Sequence, residues 1–598
     1  MTAQIIVLNA GGQYCHLIAR RIRGLGVSAE IRDLETPVDE VRGAKGIIIS
    51  GGPSSVYEED SPKPDPKIFD LRIPVLGICY GHQLIAQYLG AKVNRGTVRE
   101  YGVAELRVKR AKGIFAGVGN IEKVWMSHAD TVIEPPPGFE VIGETDDCAV
   151  AAVANPQKRL YGVQFHPEVA HTNCGGRVLK NFISTECHCE LDWDPSAAVD
   201  RIIQEIRTKV RGRNVFFLIS GGVDSTAAFK LCVNALGKEK VVGLYVDTGF
   251  MRKNETKDME GIFRRLGLDN IRFVDESQKF FDALERVYDP EEKRVKIGEL
   301  FYHIQAEMLR VLRNSGAEWI LGQGTIYPDT IETGHSRKAA KIKTHHNRVD
   351  LMKNLLDAHS LLEPLSEFYK DEVREIGSKL GLPDEIVWKQ PFPGPGLTIR
   401  CLCSPSWREV NEDEHLTAVI SHYGIWAKRA GLRTVGVQGD SRTYANLALV
   451  GGEATLSTLE EVSTQITNAI ESINRVAYIV APRVDNRDSW NIQPGFLTQE
   501  RVDLLREADS IVQSFMRSHP EMSRNIWQFP VILAPITRGR GESVVLRPVS
   551  SKDGMTAEFT KIPLELLQAL SRELLQRRGV DCVVYDITNK PPGTIEWE

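Results

Sequence analysis

Short apolar runs at residues 5–8, 46–49, 75–78 and 163–165 are bounded by turn residues and separated by stretches with helical spacing. This alternation predicts a doubly wound α/β unit. The pattern fades near Glu190, where Asp192-Trp193-Asp194-Pro195-Ser196 carries turn and helix-start signals. Val199, Ile202, Ile203, Ile206 and Val210 then recur at helical spacing and lead into a buried-type strand at 215–219, a Gly-rich turn, a helix-compatible stretch and a second strand at 241–246. Pro391-Phe392-Pro393-Gly394-Pro395-Gly396 fits neither a helix nor a central strand and marks the next boundary. In the last third, a helical stretch at 458–473 with a strand at 476–480 resembles 564–575 with 580–585, which predicts a duplicated α+β subdomain. The expected domains are 1–190, 191–398 and 399–598.

A chain of 598 residues exceeds what one core usually organises, in keeping with several domains. Hydrophobic residues at 42% and charged residues at 26% exclude a disordered chain. A net charge of −5 and a pI near 6.3 give no electrostatic argument for nucleic acid or an anionic membrane, so small-molecule substrates are expected. The opening MTAQIIVLNAGGQY has no basic region followed by a signal-type core, and no later stretch is apolar for long enough to span a bilayer; the cytoplasm is expected. The 10 cysteines are scattered and read as reduced. Cys174, Cys187, His188 and Cys189 cluster, but Cys-x-Cys lacks the gap of zinc knuckles, and small apolar thiols are the better reading.

Two segments carry chemistry in the first domain. Gly77-Ile78-Cys79-Tyr80-Gly81-His82-Gln83 follows an apolar strand and precedes a helical pattern, the arrangement of a nucleophile elbow. Flanking glycines let the strand turn sharply, and a helix N-terminus favours a thiolate. Alone, the segment reads equally well as a buried cysteine in a βα turn. Tyr161-Gly162-Val163-Gln164-Phe165-His166-Pro167-Glu168 breaks the tie, because its histidine and acid complete a Cys79, His166, Glu168 triad of nucleophile, base and orienting carboxylate.

With Ser50-Gly51-Gly52-Pro53, these segments resemble the class I glutamine amidotransferases over about residues 1–190, which implies a flavodoxin-like fold. The resemblance implies that the amides of Gly52 and Tyr80 form an oxyanion hole, and that Gln83, Ser127, His128 and Asp130 hold substrate glutamine. The sequence departs from the pattern at the end of the first strand, Leu8-Asn9-Ala10-Gly11-Gly12-Gln13, and at Ala129. Neither departure touches the triad.

Ser220, Gly221, Gly222, Val223, Asp224, Ser225 and Thr226 lie between a strand and a helix, where backbone amides can cradle phosphate. No P-loop or dinucleotide fingerprint occurs in the chain. SGGVDST instead resembles the loop of the ATP pyrophosphatases, implying a Rossmann-like domain that cleaves ATP between its α and β phosphates. Asp224 suits Mg²⁺, which binds few protein oxygens. By the same resemblance Val246 and Asp247 sit beside adenine and ribose.

From end to end the chain resembles the glutamine-hydrolysing GMP synthetase family, in its extended eukaryotic-like form. The resemblance implies glutamine, XMP and ATP as substrates, with ATP and Mg²⁺ as cofactors. Asp329 and Glu332 would support an adenylation lid carrying Lys343, His345 and His346. Arg294, Asp440, Arg442, Gln528, Lys590, Thr594, Ile595 and Glu596 would hold XMP. A homodimer through the C-terminal domain is implied, unless the second copy within the chain replaces the partner's surface. A rival asparagine synthetase would use an N-terminal cysteine, whereas residue 2 is Thr2. The rival of another class is a catalytically silent nucleotide-binding regulator, and against it stands the complete triad.

Overall fold

Gly46–Ile49 and Val75–Ile78 are apolar on both faces, the composition of strands covered on both sides. The computed structural model describes residues 3–12, 14–169, 171–314, 316–332, 361–438, 441–482, 489–539, 541–551 and 557–598, and there the two segments are neighbouring parallel strands. Among the described residues their sheet has nine strands in the order β2-β1-β3-β4-β9-β8-β7-β5-β6. These are β1 Ile5–Asn9, β2 Ala29–Asp33, β3 Gly46–Ile49, β4 Val75–Ile78, β5 Val93–Val108, β6 Ile121–Val132, β7 Glu140–Glu144, β8 Ala152–Asn155 and β9 Leu160–Val163. β2 through β9 in that order are parallel, and the strands beyond are antiparallel. The strand expected at 163–165 lies earlier. Phe165 is apolar because it fills the core beside Phe115, their rings 6.3 Å apart, after the chain has left β9.

The described residues form two compact units that divide at Ala198. Asp194 accepts the Ser196 amide just before helix α2, Ala198–Val210, which buries Ile202, Ile206 and Val210 at the predicted spacing. Helix α1, Tyr80–Tyr88, belongs to the first unit.

Among the described residues, the second unit contains an all-parallel five-stranded sheet, β12-β11-β10-β13-β14. Its strands are β10 Asn214–Leu218, β11 Val241–Asp247, β12 Ile271–Asp275, β13 Trp319–Gly322 and β14 Leu361–Leu362. Strand order reverses at β10, with β11 on one side and β13 on the other. The loop after β10 therefore opens at the topological switch point where α/β sheets bind ligands. It leads into α3, Val223–Leu236; α4 is Pro290–Arg313 and α5 is Lys370–Lys379.

The same unit holds, among the described residues, a seven-stranded sheet of order β15-β16-β17-β18-β21-β20-β19. Here β15 is Asn411–Glu412, β16 Trp426–Gln438, β17 Ser441–Gly451, β18 Ile473–Ala481, β19 Val531–Ala534, β20 Glu542–Leu546 and β21 Val580–Asp586. Each half is an antiparallel pair, a helix (α6, Leu456–Ala469, or α8, Leu564–Leu575), and a strand parallel to its predecessor. β18 and β21 meet antiparallel at the centre. Between the halves runs α7, Gln499–Ser518. The helix expected at 458–473 starts and ends earlier. The Thr455 side chain caps it, and Ile470 and Ile473 prolong the apolar period only because the turn and the next strand bury them too.

Candidate functional site

Cys79 sits between β4 and α1 with φ +52°, a left-handed conformation that costs a non-glycine residue energy and marks a site where the surroundings dictate the backbone. The turn needs its glycines. A Cβ on Gly77 would meet Gly81 O at 2.3 Å, and one on Gly81 would meet Ile49 O at 2.3 Å. The tight turn brings the amide ends of α1 beside the sulfur.

His166 Nδ1 lies 2.7 Å from Glu168 Oε1, and the thiol of Cys79 lies within hydrogen-bonding reach of the ring. Burial opposes charge on His166, but the Glu168 carboxylate and Cys79 outweigh it and raise the imidazole to about 10. The histidine is thereby held as imidazolium at neutral pH, the partner a thiolate requires. Glu168 is 1% exposed, and its second oxygen, Oε2, is buried without a partner, so the carboxylate is directed wholly at the ring. Tyr14 packs edge-on against His166 at 5.3 Å.

Gln83 Nε2 donates to Asp130 O at 2.9 Å and to Gln164 Oε1 at 3.2 Å; His128 Nδ1 lies 3.0 Å from Asp130 O. Cys79 Sγ is 3.7 Å from Ser127 O. The elbow, the end of β6 and the segment after β9 thus converge. Gly52 cannot carry a side chain, since its Cβ would meet Ala10 O at 2.5 Å; its neighbour Gly51 faces the triad, where an added Cβ would come within 2.9 Å of His166 Cε1 and 3.5 Å of Cys79 Cβ. Sequence reasoning missed Gln164, whose Nε2 lies 3.6 Å from Cys79 Sγ, and Tyr57, whose hydroxyl donates to Asp130 Oδ1 at 3.0 Å. Gln164 stands two residues before the histidine and was within reach of the motif. Tyr57, in an irregular loop, has no sequence signal.

In the second unit, Gly221 adopts φ +75°, and the loop is tied to itself: Ser220 Oγ lies 3.0 Å from Ser225 Oγ, and Gly222 N donates to Ser220 Oγ at 3.3 Å. Val223 is buried, and Thr226 is buried with its hydroxyl unpartnered. Asp224 divides its carboxylate. Oδ2 pairs with Lys370 Nζ at 2.5 Å, while Oδ1 is buried with no hydrogen-bond partner. A hard, unsatisfied carboxylate oxygen at a phosphate-type loop fits Mg²⁺. Lys370 has no sequence signal, as it begins α5 and lies 146 residues from Asp224.

Other expected residues are engaged by the protein. Val246 is buried in β11. Asp247 accepts from Gly249 N at 2.9 Å and Thr256 Oγ1 at 2.6 Å, so its carboxylate shapes the turn beyond β11. Asp329 accepts Ile326 N at 3.1 Å within the turn that leads into Tyr327–Glu332. Lys343, His345, His346 and Asp440 lie outside the described residues, as do the side chains of Glu332 and Arg442.

Arg294 pairs with Glu291 at 2.6 Å, and Glu291 also accepts the Tyr444 hydroxyl at 2.6 Å. Gln528 donates to Pro391 O at 3.0 Å. The tail is pinned along its length. Lys590 pairs by backbone with Ala557; Thr594 Oγ1 donates to Val435 O; Glu596 is gripped bidentately by Arg400 at 3.0 and 2.6 Å. Ile595 is half-buried between them. Beneath the tail, fully buried Arg475 reaches Asp586, Thr594 O and Glu596 O, and Lys293 meets Glu598 at 2.5 Å. Burial opposes charge on the Lys293 ammonium, but the facing Glu598 carboxylate outweighs it and holds Lys293 above its ordinary value, while burial pushes the Glu598 carboxyl up; Thr398 O and Cys401 O also accept from Nζ.

Comparison with known proteins agrees with this layout. Family models match in chain order: glutamine amidotransferase class-I at 6–185, NAD synthase at 196–332 and GMP synthase C terminal domain at 517–597. A "Probable GMP synthase (glutamine-hydrolyzing)" of Leptospira interrogans is 43% identical, the match covering 100% of this chain and 99% of the relative. The GMP synthase (glutamine-hydrolyzing) of Caldanaerobacter subterraneus is 37% identical over 99% of both chains. A glutamine amidotransferase structure from Thermotoga maritima is 21% identical over 34% of this chain and 86% of its own, with a TM-score of 0.24. At such identity over the whole length of both chains, this chain belongs to the glutamine-hydrolysing GMP synthase family.

Proposed function

We propose that the protein makes GMP from XMP, hydrolysing glutamine at Cys79 and activating XMP with ATP at the 220–226 loop. The observation that carries this is the joint presence of an assembled Cys79, His166, Glu168 centre and an Asp224 loop at the switch point of a second sheet. The silent-regulator reading has no such support, because a regulator needs neither the strained Cys79 turn nor the charged imidazole.

In the glutaminase centre, Cys79 Sγ attacks the amide carbon of glutamine. The amides of Gly52 and Tyr80 receive the developing oxyanion, while Gln83, Ser127, His128 and Asp130 hold the substrate. His166 gives its proton to departing ammonia, then takes one from the water that frees glutamate, and Glu168 keeps the ring oriented.

At the second centre, the xanthine C2 oxygen attacks the α-phosphorus and pyrophosphate leaves; ammonia then adds at C2 and AMP departs. Ser220 to Thr226 present backbone amides and hydroxyls to phosphate, and Val246 and Asp247 lie on the adenine and ribose side. Asp224 would hold Mg²⁺, which when bound offsets phosphate charge. Asp329 and Glu332 support the segment carrying Lys343, His345 and His346. Arg294, Asp440, Arg442, Gln528, Lys590, Thr594, Ile595 and Glu596 form the XMP site. Glu596 serves with its carboxylate held by Arg400.

We extend the reading to three coarser points. The boundaries fall at 1–190, 191–398 and 399–598, with the last region a duplication, supported by its two ββαβ halves. All ten cysteines are free thiols and, among the described residues, no helix is long and apolar enough to cross a membrane, which supports a cytoplasmic setting. A homodimer through the C-terminal region is tested by sedimentation.

The deciding experiment mixes protein, XMP, ATP, Mg²⁺ and glutamine and follows each product. Equal yields of GMP, AMP, pyrophosphate and glutamate are expected. Glutamate release without AMP would overturn the assignment.

A further inference from the structure

The loop that follows β11 is held by a helix whose contacting arginine lies 255 and 257 residues away in sequence, and the contact is directed at backbone. Gly249 stands at φ +75°, and a Cβ there would come within 2.7 Å of Phe281 Cε2 and 2.8 Å of Ser277 Cβ, so no larger residue fits. Its carbonyl and that of Met251 each need a donor. Arg506, on α7, supplies both: Nη2 donates to Gly249 O at 2.5 Å and Nε to Met251 O at 2.9 Å. Phe250 O, between them, accepts Leu397 N at 2.8 Å. Three successive carbonyls are thus taken by donors from outside the nucleotide-type sheet.

The rest of α7 reinforces the grip. Asp509, one turn on, is 2% exposed and faces Arg252 at 3.4 Å; Lys253 meets Glu507 at 2.6 Å at the surface. Asp503 lies 2.5 Å from Arg506 Nη1 and fixes the guanidinium plane. A planar fork set by a carboxylate on one side and two carbonyls on the other is a geometry lysine cannot copy. The apolar stripe of α7, Val502, Leu505, Ala508 and Val512, shares one continuous core with Leu244, Val246 and Phe250, so Arg506 adds directed hydrogen bonds at the polar edge of a packed contact.

We infer that Arg506 is a positioning residue for ATP: it sets the backbone of residues 249–251, and through it the placement of Asp247 at the adenine and ribose side. The inference rests on the proposed nucleotide role of β11. It makes α7 of the C-terminal region a support of the ATP site, acting through the backbone of residues 249–251.

The test uses the full chain with ammonium salt as nitrogen source, so that the glutaminase is not involved. Arg506→Ala is expected to raise KM for ATP about tenfold, the effect of losing hydrogen bonds from a charged donor, with kcat and KM for XMP each within about twofold. Arg506→Gln, which retains a donor amide, recovers part of the ATP affinity, and Glu507→Gln leaves all three constants unchanged. An unchanged KM for ATP, or an equal rise in both Michaelis constants, overturns the inference. If Arg506→Ala does not fold, Arg506→Lys decides by the same split: a raised KM for ATP alone supports it, and unchanged or equally raised constants overturn it. A wild-type protein that releases no AMP from ATP and XMP would overturn the underlying function instead, so the two failures are distinct.

Discussion

The Cys79 centre and the Asp224 loop differ in how complete they are before any substrate arrives. Around Cys79 the reacting groups are already engaged with one another through the strained turn, the 2.7 Å contact of His166 with Glu168, and the Gln83 and Gln164 network, although Glu168 Oε2 is left without a hydrogen-bond partner. Around Asp224 the chain leaves groups open, with Oδ1 and the Thr226 hydroxyl buried and unpartnered. Under the proposed function, a covalent nucleophile has to be aimed in advance, whereas a site that stabilises phosphate charge keeps donors and acceptors for the ligand. The difference teaches which site tolerates rearrangement and which does not.

The sharpest break of that comparison is Cys79→Ala. Glutamine-driven GMP formation should fall by about 10⁴-fold or more, as expected when a covalent nucleophile is removed. The rate with added ammonium salt should stay within about twofold of wild type, and any retained glutamine-driven turnover would sink the two-site reading.

Asp224→Asn comes next. It should slow AMP release by roughly 10²–10³-fold with either nitrogen source, the scale of losing one preorganised electrostatic group; a rate within a few-fold of wild type would remove Asp224 from the metal site.

Glu168→Gln should lower glutaminase kcat by about 10²-fold, within the usual range for general acid–base terms, and it should also move a pH limb. His166 is held up to about 10 against an ordinary 6.5. Its raised value stabilises the fold fully below pH 6.5, and that contribution is lost as pH rises through about 10. Without the carboxylate, the alkaline fall in both glutaminase rate and melting temperature should begin at lower pH. An unmoved alkaline limb would mean that Glu168 does not charge the histidine.

The smallest effect is expected behind the 220–226 loop. Lys389 pairs with Glu255 at 2.7 Å and approaches Gly221 O at 3.5 Å. Burial works against the Glu255 carboxylate, yet Lys389 holds it below its usual range. Lys389→Met should cost about 2 kcal/mol, less than a fully buried pair because the lysine is partly exposed, measured by chemical denaturation. A change under about 0.5 kcal/mol would show the pair to be dispensable.

Much of the first site was legible in sequence because its parts lie in two short motifs. The elbow glycines, the position of Cys79 after a strand, and the two-residue spacing of His166 and Glu168 are local facts. The Gly-rich turn at 220–226, between β10 and α3, was legible for the same reason. Strand limits were less so: Phe165 and Ile473 are apolar for reasons of core packing, and periodicity alone assigns them to the wrong element.

The long-range contacts had no local signal at all. Lys370 meets Asp224, Arg400 meets Glu596, Lys293 meets Glu598 and Arg506 meets Gly249 across separations of 146, 196, 305 and 257 residues. By itself, the sequence determined the chemistry of each motif, since residue type and close spacing decide which atoms can act together. Only the tertiary structure decided which charges share a site and which carboxylates are already engaged, because that depends on where the chain returns.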